Sequence, residues 1–128
     1  MLYEDIRDYL YPNMQADARE QVSIYFETFL STPELHNFEP TLRHGDFGSG
    51  NILYDEQEES ISGIIDFGSA GLGDPAVDIA AVMTFGESFF KHYYVSSPGI
   101  DGMLERAKFY NSTFALQEAF ERGMAAYK

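Results

Sequence analysis

Hydrophobic positions along the chain follow two different spacings, and the switch between them divides it into regions. At the start, Leu2, Ile6, Tyr9 and Leu10 share one face of a 3.6-residue repeat, and Pro12 ends the run. A second helical repeat follows, with Val22, Tyr25, Phe26, Phe29 and Leu30 spaced as a full amphipathic stripe. The expected role of that stripe is core packing. Ser31-Thr32-Pro33 breaks it. Between residues 41 and 73 the helical spacing gives way to two short β-type runs, Ile52-Leu53-Tyr54 and Ile61 through Phe67. The polar stretch Asp55-Glu56-Gln57-Glu58-Glu59-Ser60 lies between them as a solvated loop, so a β-hairpin is predicted with strands near 52–54 and 61–66. Glycines at 45, 48, 50, 63, 68, 71 and 73 punctuate the same region, and Ser69-Ala70 with Gly71 and Gly73 read as turn formers. After Gly73 the helical pattern returns. Asp74 suits an N-cap and Pro75 the first helical position. Val77, Ala80, Ala81, Thr84 and Phe85 form the next apolar face, with Gly86 as its stop. Ser96-Ser97-Pro98-Gly99 is a turn. From about Asp101 onward Met103, Ala107, Tyr110 and Phe114 again share a face. The predicted architecture is one α+β domain over residues 1–128, mainly α-helical, with one small hairpin.

Composition adds exclusions. A hydrophobic fraction of 45% with 16% aromatic residues is enough for a real core and far from a disordered chain. The absence of cysteine excludes a disulfide framework and cysteine-ligated zinc, and fits a cytoplasmic protein. The first residues, Met1-Leu2-Tyr3-Glu4-Asp5, have neither the basic nor the apolar region of a signal peptide. No apolar run approaches the roughly 20 residues of a membrane span. A formal net charge of −13 disfavours nucleic acid and anionic membrane as partners, because phosphates would be repelled. Such a charge serves solubility first, and it also suits the steering of a cationic substrate.

The candidate chemistry is concentrated between residues 44 and 78. His44-Gly45-Asp46 is followed by Asn51 five residues after the aspartate, and an apolar run then delivers Asp66-Phe67-Gly68. An aspartate on a tight loop can accept a proton from, or orient, an attacking hydroxyl. An asparagine amide oxygen and a second carboxylate at a strand end are hard donors for Mg²⁺, which needs only one or two protein oxygens beside phosphates and water. Asp46-Phe47-Gly48 also spells Asp-Phe-Gly. Only Asp66, however, follows a β-branched run, and only Asp46 has a histidine two before and an asparagine five after. The layout is that of the kinase pair H-R-D-x-x-x-x-N and D-F-G. A carboxylate-based metal hydrolase using Asp46, Asp66 and Asp55 is a competing reading, as is a non-enzymatic module that keeps the fold.

With glycine inside His44-Gly45-Asp46, the sequence resembles the aminoglycoside phosphotransferase and choline-kinase-like branch of the kinase superfamily. Gly73-Asp74-Pro75-Ala76-Val77-Asp78-Ile79-Ala80 strengthens the likeness, and Phe109-Tyr110 with Ala115-Leu116-Gln117-Glu118-Ala119 points toward enzymes modifying the 2″-hydroxyl of aminoglycosides. The resemblance implies a kinase-like C-terminal lobe, with the catalytic loop and metal site over 42–81 and a helical subdomain over 82–128. It implies Asp46 as catalytic base, Asn51 and Asp66 as Mg²⁺ ligands, and ATP or GTP as phosphoryl donor. His44 would pack the loop near Asp66, Asp78 would anchor the loop backbone, and Asp74 would cap a helix. Ser49 is a candidate phosphate or substrate contact. Glu105, Glu118 and Glu121 lie on late helices of the kind that line the substrate pocket in the family, although exposed helical glutamates are usually just solvated. The implied partner is a small hydroxylated molecule, cationic if aminoglycoside-like. Choline, homoserine and methylthioribose are alternatives. The residues after the catalytic aspartate, Phe47-Gly48-Ser49-Gly50, depart from the His-Pro common in the family.

Kinase-like enzymes place a glycine-rich loop and a strand lysine before the catalytic loop. Here 43 residues precede His44 and read as helices, and the three lysines, Lys91, Lys108 and Lys128, all come later. The expectation is therefore a C-terminal lobe whose N-terminal lobe is absent. Such a chain would be nearly inactive alone and prone to self-association through uncovered apolar surface.

Overall fold

The computed structural model describes residues 2–126, with side chains through Gly123. Helix α1 runs Leu2–Tyr9 and passes into a 3₁₀ turn, Tyr11–Asn13, that contains Pro12. Helix α2 spans Ala16–Leu30 and ends before a second 3₁₀ turn, Pro33–His36. Strand β1 (Thr41–Arg43), a 3₁₀ turn (Ser49–Asn51), strand β2 (Ile52–Asp55), strand β3 (Ser60–Ile64) and strand β4 (Gly71–Gly73) follow. Helices α3 (Ala76–Met83), α4 (Glu87–Ser96) and α5 (Leu104–Ala126) complete the described order.

The predicted hairpin is present as β2 and β3, antiparallel, with Ile52 opposite Ile64 and Asp55 opposite Ser60, and with an irregularity between Leu53 and Tyr54. Asp55 closes its loop. The carboxylate Oδ1 accepts the N–H groups of Gln57 at 2.9 Å and Glu58 at 3.1 Å. That is the turn chemistry expected of aspartate.

A second two-stranded ribbon joins β1 to β4, pairing Thr41 with Gly73, Leu42 with Leu72 and Arg43 with Gly71. It stands beside the one predicted hairpin, and it corrects the reading of Gly71 and Gly73 as turn formers. The reason lies across the ribbon. A Cβ on Gly73 would sit 2.4 Å from Arg43 Nε, so glycine is what lets the guanidinium lie against this strand. Gly86 likewise does not stop α3. It precedes α4 with φ +104°, a conformation suited to glycine.

The chain forms two compact units, one of residues up to Asn37 together with residues from Ser112, the other Phe38–Asn111. In the first, Tyr3 stacks on Phe26 with centroids 4.9 Å apart, and Ile6 is fully enclosed. Phe26 and Phe29 are the buried members of the α2 stripe, whereas Tyr25 and Leu30 are exposed, so the packed face is narrower than the periodicity suggests. In the second, α3 buries Ala76, Ile79, Ala80, Ala81 and Val82, and α5 contributes Ala107 and Phe109. No helix among the described residues is long and apolar enough to cross a membrane.

Candidate functional site

The second unit brings the motif residues together through backbone bonds. His44 follows β1 and is buried. Its Nδ1 accepts the Asp46 N–H at 3.1 Å, so that nitrogen carries no proton. Its Nε2, 2.9 Å from the Ile65 carbonyl, is therefore the donor. One ring thus bridges the loop bearing Asp46 to the segment bearing Asp66. Phe67 and Phe47 pack against the same ring, with centroids at 4.8 and 5.7 Å.

Gly45 has φ +89°, and a Cβ there would lie 2.4 Å from the Ser69 carbonyl oxygen. Glycine between the histidine and the aspartate is thus demanded by the close passage of the post-Asp66 turn. From α3, Asp78 reaches back to this point. Its Oδ2 accepts the His44 N–H at 2.8 Å and its Oδ1 the Gly45 N–H at 3.0 Å. Both oxygens of one carboxylate are spent on two successive loop amides.

Asp46 itself is exposed. Asn51 Nδ2 donates to the Asp46 carbonyl at 2.8 Å and makes a longer contact, 3.4 Å, with Asp46 Oδ2. Both partners are acceptors, which fixes the amide orientation and turns Asn51 Oδ1 away from them. The Asn51 carbonyl accepts the Ile65 N–H at 2.9 Å, carrying the hairpin pairing one step past β3 toward Asp66. Asp66 is exposed and has φ +61°, one of two positive-φ residues other than glycine among the described residues. Left-handed conformation is costly for most side chains and tolerated better by aspartate. Its Oδ1 lies 3.4 Å from the Gly68 N–H.

Asp74 does more than the predicted cap. Its Oδ1 accepts the Ala76 N–H at 3.0 Å at the start of α3. Arg106 on α5 grips both of its oxygens, at 2.8 and 3.0 Å, and Tyr110 donates its hydroxyl to Oδ2 at 2.8 Å. Burial pushes the Asp74 carboxyl up, but Arg106, the Ala76 amide and Tyr110 outweigh it and hold the group below the usual carboxylate range. Burial and the bond to Asp74 raise the Tyr110 phenol well above its ordinary value. Arg106, and the bond from Tyr110 to Asp74, escaped the sequence reading. A signal existed, because Arg106 falls three after Met103 and four before Tyr110, on the apolar face of its helix, where a charge requires a buried partner. Arg43 Nε is buried without a hydrogen-bond partner among the described residues.

Ser49 is exposed at the start of the 3₁₀ turn that ends on Asn51. Glu105 is exposed in the first turn of α5. Glu118 and Glu121 are exposed and fall in the other unit, where Glu118 pairs with Arg122 one turn on. Beside the clamped loop, His44, Phe47, Ile64, Phe67, Asp78, Val82 and Tyr93 line an apolar pocket of about 250 Å³.

The fold is that of kinase-like phosphotransferases. The GDP complex of wild-type aminoglycoside 2′-phosphotransferase-IIIa superposes with a TM-score of 0.77 at 23% identity, covering 99% of this chain and 44% of that one. A GDP and kanamycin complex of an aminoglycoside phosphotransferase superposes at 0.72 with 21% identity, over 98% of this chain and 48% of that one. In sequence, the viomycin phosphotransferase of Streptomyces vinaceus is 31% identical over 118 residues, 89% of this chain and 40% of that protein. A profile of the phosphotransferase enzyme family matches residues 4–110. The chain belongs to that family, and it spans less than half the length of these relatives.

Among the described residues no three His, Cys, Asp or Glu side chains converge as a metal site. Asn51 Oδ1 and the Asp66 carboxylate are the two motif groups that could donate to a metal while Asp46 is left for the acceptor. Two hard oxygens suit Mg²⁺ that is also held by nucleotide phosphates, and do not suit an ion held by protein alone. Asp55 Oδ1 is used by its own turn, and Asp46, Asp55 and Asp66 form no three-carboxylate cluster among the described residues.

Proposed function

We propose that this chain is the catalytic-lobe portion of a phosphotransferase that moves the γ-phosphoryl group of ATP or GTP to a hydroxyl of a small molecule, an aminoglycoside-like acceptor being favoured. The observation that carries the reading is the loop from His44 to Asn51. It leaves the Asp46 carboxylate exposed while fixing its backbone at three points, the His44 ring, the Asp78 carboxylate and the Asn51 amide. Phosphoryl transfer depends almost wholly on positioning and charge stabilisation, so a braced loop that keeps a carboxylate exposed is what the reaction requires.

In this reading Asp46 orients the acceptor hydroxyl and takes its proton as the new O–P bond forms and the bond to the β-phosphate oxygen breaks. Asn51 Oδ1 and Asp66 hold Mg²⁺, which when bound neutralises charge on the phosphates. His44 and Asp78 keep the two aspartates in register. The net charge of −13 goes with a cationic acceptor. A cytoplasmic location, where nucleoside triphosphate is supplied, goes with the donor.

The test is nucleoside diphosphate release by the full-length protein, with and without an acceptor: kanamycin, choline, homoserine or methylthioribose. Release that depends on kanamycin is expected. Release that depends on one of the other three would reassign the substrate. Phosphoester hydrolysis that ignores the acceptor would overturn the reading in favour of a hydrolase.

A further inference from the structure

Helix α3 carries Asp78, the carboxylate that binds the His44 and Gly45 amides, and α5 holds it at two points, one just before its first residue and one at its middle. At its start, Asp74 takes two bonds from Arg106 and one from Tyr110. In its second turn, the Ala80 carbonyl accepts from Asn111 Nδ2 at 3.1 Å. Arg106, Tyr110 and Asn111 occupy two successive turns of α5, and their two attachment points, Asp74 just before α3 and Ala80 within it, bracket Asp78 along the chain. We infer that Arg106, Tyr110 and Asn111 are positioning residues. They set the placement of α3, and through Asp78 the placement of the loop bearing Asp46.

The physical case rests on directionality. Apolar packing of α3, with its alanine-rich buried face, resists separation but only weakly resists sliding or rotation, because alanine offers little relief to interlock. A bidentate guanidinium–carboxylate pair fixes distance and plane together. Added to it, the Asn111 bond fixes the helix against rotation about that pair. Asp78 is then presented with both oxygens aligned to two consecutive amides, a geometry that a small rotation of α3 would break at one of them. The inference rests on the reading of residues 44–51 as a catalytic loop only for its consequence on rate. The mechanical link stands or falls separately.

Amide hydrogen exchange in the full-length protein separates the two. Arg106→Met removes the pair, and Phe109→Leu on the same helix serves as a control of general destabilisation, with urea chosen so that the two variants have equal global stability. Arg106→Met is expected to speed exchange of the His44 and Gly45 amides at least tenfold relative to Phe109→Leu, and Arg106→Lys to restore part of the protection. Should Arg106→Met fail to fold, Tyr110→Phe removes the hydroxyl bond to Asp74 and Asn111→Ala the bond to the Ala80 carbonyl, and each is expected to speed the same two amides relative to wild type. Equal exchange in the variant and the control, or unchanged His44 and Gly45 protection in the milder variants, would overturn the inference. Neither readout requires turnover, so loss of the phosphotransfer reading would leave this result interpretable.

Discussion

Gly45 shows how one position can be explained by its neighbours alone. Its φ of +89° and the carbonyl of Ser69 at 2.4 Å from where a Cβ would lie leave room for no side chain. Gly48 and Gly50, five residues or fewer away, have open space and no positive φ. Gly45→Ala is therefore expected to cost at least about 2 kcal/mol, from left-handed strain plus the backbone clash. Gly48→Ala should be neutral or stabilising by up to about 1 kcal/mol, because it only restricts the unfolded chain. Urea denaturation of the two variants decides it, and equal effects would remove the steric account of the His-Gly-Asp glycine. Asp66 carries a related strain, since its φ of +61° aims a carboxylate that an extended residue would point elsewhere. Neither conformation can be read from residue type. What the sequence did offer was the spacing of His44, Asp46, Asn51 and Asp66, because spacing along a loop and a strand limits which side chains can meet.

At the scale of elements, the hairpin β2–β3 was legible because β-branched runs flank a polar loop. The β1–β4 ribbon was not. Its strands are three residues each, one of them Gly71-Leu72-Gly73, and they pair across almost thirty residues of intervening chain, so no local pattern announces them. The tie between α3 and α5 was half legible, with Asp74 visible as a cap and its ion pair hidden. That pair has a pH signature. The Asp74 pKa is lower in the folded chain than in the unfolded one, so the unfolded state binds the extra proton between the two values. Its stabilisation is therefore complete above the ordinary carboxylate range, near 3.9, and is lost as pH falls through the depressed folded value. Asp74→Asn is expected to lose roughly 3–5 kcal/mol at pH 7, because Arg106 is left buried without its counter-charge. The difference from wild type should shrink as the pH is lowered through the acid range. Urea midpoints of both proteins at several pH values test this, and a difference independent of pH would show that the pair is not what Asp74 contributes. The raised Tyr110 phenol acts in the opposite range, where its contribution is full below pH 10 and fades as pH rises through the folded value.

For the whole molecule, family and fold agree with the expectation drawn from two short motifs, and those motifs lie in a single compact unit, Phe38–Asn111. The division into two units, with α5 contributing to both, was not visible in the sequence, because the helical periodicity of α5 runs on without a break at the boundary. Substrate choice is the least legible property, since exposed glutamates such as Glu105 and Glu121 look alike whether they are solvated or line a pocket. The central claim, that Asp46 acts on the acceptor while Asp66 acts on the metal-bound nucleotide, is tested most directly by comparing Asp46→Asn with Asp66→Ala in the full-length protein. Nucleotide affinity with Mg²⁺ and acceptor-dependent kcat are measured for each. Asp46→Asn should keep nucleotide affinity close to wild type and lose roughly 10²–10⁴-fold in kcat, the range of a general base. Asp66→Ala should weaken Mg²⁺–nucleotide binding as well as rate. An Asp46→Asn enzyme with near-normal kcat, or an Asp66→Ala enzyme with unchanged nucleotide affinity, would contradict the assignment.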